Sequence, residues 1–194
     1  MKKHFNFFSL TLITILSLSF TACKKDDPVA EKNLEQIDGT VVNFIEGHFQ
    51  GTEFHASGDT VKVTFEKDKT VSSPSHVHLH AGETYLMEID FYYKGVKINS
   101  DFDAPSHQFF FVGAPDGVFN YTYADERVGL KGYLTVNQAT ESGFEWNLIL
   151  RHGLNKNHAA AQAWNNPNYN QAGGSYDFNR TVEIHPVVGD GQDH

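Results

Sequence analysis

Apolar and polar residues alternate along much of this chain. Val61-Lys62-Val63-Thr64-Phe65 shows the pattern, as do Tyr85, Met87, Ile89 and Phe91, and again Phe144, Trp146, Leu148 and Leu150. A period of two sends successive side chains to opposite faces of an extended backbone, so each run predicts a half-buried antiparallel strand. Comparable runs at 40–46, 76–80, 107–112, 118–124, 130–136 and 178–185 raise the expected total to about nine strands, with turns such as Ser57-Gly58-Asp59 and Lys94-Gly95 between them. No stretch after residue 23 sustains a helical period long enough for a bundle. The expected fold is therefore all-β, an antiparallel two-sheet sandwich of the immunoglobulin-like kind spanning residues 38–188. One connection breaks the rhythm. Residues 153–176 are long and Asn-rich, with Ala159-Ala160-Ala161 as a short helical turn and Trp164 and Tyr169 beyond it. Connections of that length in a compact domain are typically functional or disordered, which makes Trp164 and Tyr169 candidate contacts for a glycan or protein partner.

The N-terminus follows a different logic. A basic start at Lys2-Lys3, an apolar run from Phe5 to Phe20 and small residues before Cys23 predict a secretory signal over residues 1–22. A cysteine directly after the cut resembles a lipobox, with Phe20 where leucine is usual, so Cys23 is the expected lipidation site and its lipid the contact with the membrane. The apolar run is shorter than the roughly 20 residues that a bilayer core demands, which argues against a spanning helix. Lys24-Lys25-Asp26-Asp27-Pro28 resembles the signal that carries lipoproteins of Bacteroidetes to the outer face of the outer membrane. Residues 23–37 are too polar to bury and read as a tether, and residues 189–194 as a C-terminal tail.

Removal of residues 1–22 leaves 172 of 194 residues, enough for one domain. Lys2 and Lys3 leave with that segment, so 13 basic residues face 24 acids and the mature net charge is −11. Such a balance argues against nucleic acid and anionic lipid surfaces as partners. Cys23 is the only cysteine, which excludes an internal disulfide and a thiolate cluster. Any metal has to rest on histidines and carboxylates.

Histidine is where candidate chemistry concentrates. In His76-Val77-His78-Leu79-His80 the period of two turns Val77 and Leu79 inward and all three imidazoles outward. Neighbours in that stripe stand about 6.6 Å apart and its ends about 13 Å, whereas a Zn–N bond spans only about 2.0–2.1 Å. Two of the three can share an ion, and further ligands have to come from another strand or loop. His48, His55, His107, His152, His185 and nearby carboxylates are the candidates. His107 opens a strand close to Asp101 and Asp103; His152 ends one, where it reads either as a ligand or as a core histidine held by a hydrogen bond.

His107-Gln108-Phe109-Phe110-Phe111, Val128-Gly129-Leu130, Leu148-Ile149-Leu150-Arg151-His152 with Asn155-Lys156, and Ala172-Gly173-Gly174 before Asp177 resemble, in order and spacing, a family of uncharacterised Bacteroidetes lipoproteins. The resemblance covers residues 77–184 and implies a TonB-dependent outer-membrane receptor as neighbour and partner, but no activity. Leu154 departs from the family's proline, residues 157–171 look inserted, and the stripe at His76, His78 and His80 is this chain's own.

Three readings follow. The leading one is an outer-membrane lipoprotein that binds Zn²⁺ or Cu²⁺ through imidazoles beside an outer-membrane transporter; with no thiolate and only Met1 and Met87, a Cu(I) chaperone is disfavoured. The second is a metal-independent adhesion module acting through residues 153–176. The third is a cupin-like metalloenzyme, because His76-x-His78 followed by Glu83 resembles half of a cupin motif. The other half is missing, as are a Gly-x-Ser-x-Gly elbow and a His-Glu-x-x-His helix, so an enzyme is not expected. Cys23→Ala is predicted to abolish membrane association, measured by fractionating cells that express the variant. Variant protein that still sediments with membranes contradicts the lipid anchor.

Overall fold

The computed structural model describes residues 37–67 and 72–189. Cys23, with the signal and most of the tether, and residues 190–194 of the tail lie outside the described residues. Ten strands follow in order: β1 (Gly39–Gln50), β2 (Glu53–Glu66), β3 (His76–Ala81), β4 (Thr84–Tyr93), β5 (Val96–Lys97), β6 (His107–Val112), β7 (Phe119–Tyr123), β8 (Lys131–Val136), β9 (Phe144–His152) and β10 (Ser175–Val188). They form two packed sheets, ordered β2-β1-β4-β8-β7 with β5 beside β4, and β3-β10-β9-β6. Among the described residues no helix is long and apolar enough to cross a membrane.

Each of the nine alternating runs falls on a strand. The two-residue β5, too short to show a period, is the addition. Two expectations need correction. Ser57-Gly58-Asp59 is not a turn but the interior of β2, and the hairpin closes instead at Gly51-Thr52. The register of β1 on β2 shifts between Ile45 and Gly47, and a Cβ on Gly58 would stand 2.9 Å from the Glu46 carboxylate. The glycine makes room for a bulge, which is the other common reason for glycine in a strand. The second correction concerns direction: β3 pairs with β10 in parallel, while every other pairing is antiparallel. Only a hairpin forces the antiparallel sense, and these two strands meet across about a hundred residues of sequence. The strand order supports a two-sheet sandwich and does not single out the immunoglobulin topology.

Between the sheets lies an aromatic core. Phe44, Phe91, Phe109, Phe111 and Trp146 are fully buried, with Phe111 and Trp146 stacked at 5.2 Å and Phe91 and Phe109 at 6.1 Å. Each such side chain contributes about 1.5–3 kcal/mol on burial. β6 departs from alternation because both its faces are covered. Phe109 and Phe111 enter the main core, while Phe110 and Ile149 pack outward against Leu154, Ala160, Ala161 and Ala172 of the 153–174 segment.

That long segment is ordered, and cations hold it. Arg151, buried, donates to the carbonyls of Gly173 and Gly174 and lies 4.4 Å over the Tyr176 ring. Lys156 Nζ reaches the carbonyls of Ala104 (2.6 Å), His107 (3.0 Å), Arg127 (3.0 Å) and Glu126 (3.3 Å). An ammonium has three protons for these four acceptors, so the longest contact shares one. Burial, and then the Arg127 guanidinium, hold the Lys156 ammonium below its ordinary range. Phe111 N–H donates to the Trp164 carbonyl at 2.8 Å, so the segment also covers the outer edge of β6. Lys156→Met is predicted to cost about 2–4 kcal/mol, since a charged donor is lost and carbonyls are left unpaired. Urea denaturation measures it; unchanged stability contradicts the pinning role.

Candidate metal centre

β3 is an edge strand with one wet face. Val77 and Leu79 are buried and His76, His78 and His80 exposed, as alternation predicts. What the stripe lacks is supplied by β10, whose register places His185 beside His78 and Glu183 beside His76. The rings of His76, His78 and His185 form a near-equilateral triangle, with centroids 5.5, 5.3 and 5.3 Å apart. Three imidazoles on one tetrahedral ion have centroids about 5 Å apart, given Zn–N bonds of about 2.0–2.1 Å. The spacing fits, but the nitrogens do not yet converge: among the described residues no three His, Cys, Asp or Glu side chains already stand in a coordinating array. Rotation about χ1 and χ2 of the exposed His76 and His78 rings and the half-buried His185 ring is the movement required. Glu183 Oε1 lies 2.7 Å from His185 Nε2, within reach as a fourth donor.

Sheet geometry clears the space. Gly143 precedes β9 beside β10, and a Cβ there would come within 2.3 Å of His185 Nε2. His80 stands apart from the triangle: its Nδ1 meets Glu46 Oε2 at 3.0 Å, and Tyr85 Oη donates to the same oxygen at 2.9 Å. The structure thus brings together His76, His78 and His185 and leaves His80 out.

His107 and His152 meet at the other end of β10. Their strands pair residue for residue, and the two rings stack at 5.6 Å. Asp177 lies between them, turned in by a register shift of β10 on β9 between Tyr176 and Phe178. Its Oδ1 is 3.2 Å from His152 Nδ1 and its Oδ2 3.4 Å from His107 Nε2. Only 3% of the Asp177 side chain is exposed, and Oδ2 has no aligned hydrogen bond. Burial pushes the Asp177 carboxyl above its ordinary range, with the two imidazoles pulling the other way. His107 Nδ1 faces Asp103, whose carbonyl lies 3.1 Å away and whose Oδ1 3.2 Å; that carboxyl is held below its usual range by hydrogen bonds from Ser106 and then from His107. Ser175 Oγ approaches His152 at 3.1 Å, but on the same Nδ1 that faces Asp177. A nucleophile relay needs the hydroxyl and the carboxylate on different nitrogens, so this is not a Ser-His-Asp triad.

The remaining candidates are dispersed. His48 and His55 face each other across the β1–β2 hairpin at 6.2 Å. Glu83, the carboxylate of the half cupin motif, sits in the turn after β3. Trp164 packs near Tyr121 at 5.9 Å, and Tyr169 stacks on Phe110 at 5.4 Å with its hydroxyl 3.1 Å from that of Tyr176. Both rings are half-buried and help to dock the long segment. A cleft of about 370 Å³ runs beside Thr40, Phe65, Asp177 and Arg180; no histidine lines it, but through Asp177 it reaches the carboxylate of the His107–His152 cluster.

Reasoning from sequence did not assign a role to Glu183 or Asp177. For Glu183 the signal was present, since it lies two residues before His185 and shares its face. For Asp177 it was not, because a bulge leaves no periodic trace. Gly143→Ala is predicted to keep the fold while displacing the His185 ring, shifting its NMR resonances and leaving those of His107 in place; an unmoved His185 contradicts the packing described. No protein-family model, no curated protein and no solved structure matches the chain.

Proposed function

We propose that this chain is a lipid-anchored outer-membrane protein that holds Zn²⁺ or Cu²⁺ through His76, His78 and His185, with Glu183 as a further donor, beside an outer-membrane transporter. The observation that carries the reading is the triangle of three imidazole rings, drawn from two strands whose register sets them side by side. Neutral imidazole suits both ions, and a carboxylate adds charge compensation for a divalent cation. The anchor and the partner receptor rest on the N-terminal pattern and on the family resemblance. Recognition of a glycan or protein through Trp164 and Tyr169 draws less support, because both rings are engaged in holding their own segment.

Calorimetric titration of Zn²⁺ and Cu²⁺ into the protein tests the proposal. Loss of one of three ligands should weaken binding at this site by more than the about 10–100-fold that losing an outer-shell partner costs, so His78→Ala and His185→Ala should be comparably damaging. His80→Ala should bind nearly as the wild type does, since Glu46 already engages that ring. Wild-type affinity in His185→Ala, or no uptake by the wild type at neutral pH, reduces the cluster to a polar sheet face.

A further inference from the structure

The buried group at the start of β10 contains an unresolved electrostatic problem. His107 Nδ1 has two acceptors in reach, the carbonyl and the carboxylate of Asp103, and therefore carries a proton. With Nδ1 protonated, Nε2 is the second ring nitrogen, a lone pair when the ring is neutral, and it faces Asp177 Oδ2 at 3.4 Å. Two acceptors confronting each other, with Oδ2 buried and without an aligned hydrogen bond, repel unless a proton or a metal cation stands between them.

We propose that His107 Nε2, His152 Nδ1 and the Asp177 carboxylate form a second metal site, a two-histidine, one-carboxylate centre for a divalent transition metal such as Zn²⁺. The separations agree with this. Donor atoms on a tetrahedral ion with bonds of about 2.0–2.1 Å lie about 3.3 Å apart, and the two nitrogen–oxygen distances, each to a different carboxylate oxygen, are 3.4 and 3.2 Å; as on β3, side chains have to rotate before all three donors converge. Each carboxylate oxygen faces a different imidazole, and an entering ion takes the place of the proton that His152 Nδ1 shares with Asp177 Oδ1. The surroundings also agree. A metal-ligating histidine characteristically donates its other N–H to a carboxylate or carbonyl, and Asp103 offers both to His107. Ser175 Oγ, 3.1 Å from His152 Nδ1, lies close enough for a further oxygen donor. Asp177 and His185 are eight positions apart on β10, about 27 Å at strand rise, so this centre is independent of the one on β3.

Equilibrium dialysis of the full chain in detergent against Zn²⁺ alone, read by elemental analysis, tests the assignment. The wild type should hold two equivalents. The His76→Ala/His78→Ala/His185→Ala variant should retain one, and adding Asp177→Asn to it should weaken that uptake by about 100-fold, with Asp103→Asn costing about 10-fold. A triple variant that takes up no Zn²⁺, or one whose uptake survives Asp177→Asn, overturns the second site. Should Asp177→Asn fail to fold by circular dichroism, His152→Ala, at a partly exposed position, decides the matter: lost uptake supports the site and retained uptake overturns it. Failure of the β3 cluster alone would look different, leaving one equivalent that Asp177→Asn removes and His185→Ala does not.

Discussion

A strand shows only every second residue to a given face, and it does so at about 6.6 Å intervals. His76 and His78 therefore cannot enclose an ion without help from a neighbouring strand in the correct register. The parallel pairing of β3 with β10 supplies that help, setting His185 level with His78 and Glu183 level with His76. A slip of one residue would turn His185 into the core and bring Ile184 or Pro186 out, so the register that buries Val77, Leu79 and Ile184 is the same one that assembles the imidazoles. Core packing and the clustering of these imidazoles are fixed by a single choice.

The same strand begins in a different environment. There the bulge at Asp177 carries a carboxylate inward between two paired strands, and the sandwich tolerates it because imidazoles and Arg151 lie close by. Around it Gln108 donates to the Ala161 carbonyl, Arg127 to Ala161 and Lys156 carbonyls, and Lys156 to four others. These polar groups convert a segment of over twenty residues into a fixed cover for β6. Gln108, Arg127, Arg151 and Lys156 thus act together, each donating to a backbone carbonyl in or beside that segment.

Much of the fold was legible in the sequence because burial on one face of a strand leaves a period of two, and every alternating run marks a strand. Failures came where another constraint replaced that rule. Gly58 read as a turn because glycine permits both turns and bulges, and the choice depended on Glu46, a residue on the partner strand. The direction of β3 was hidden because nothing local records which way a distant partner runs. Among candidate ligands, the outward stripe was legible and the partner was not: His185 was one of several possibilities until register selected it. His80, equal to its neighbours in sequence, was withdrawn by Glu46 across the gap between sheets.

The proposed centre requires three imidazoles to close on one ion. Anomalous diffraction at the zinc edge from crystals of the Zn²⁺-loaded protein is its most direct test. A peak is expected about 2.0–2.1 Å from one ring nitrogen each of His76, His78 and His185. Zinc-loaded crystals with no peak between those three rings, or with zinc at His80 and Glu46 instead, would contradict it.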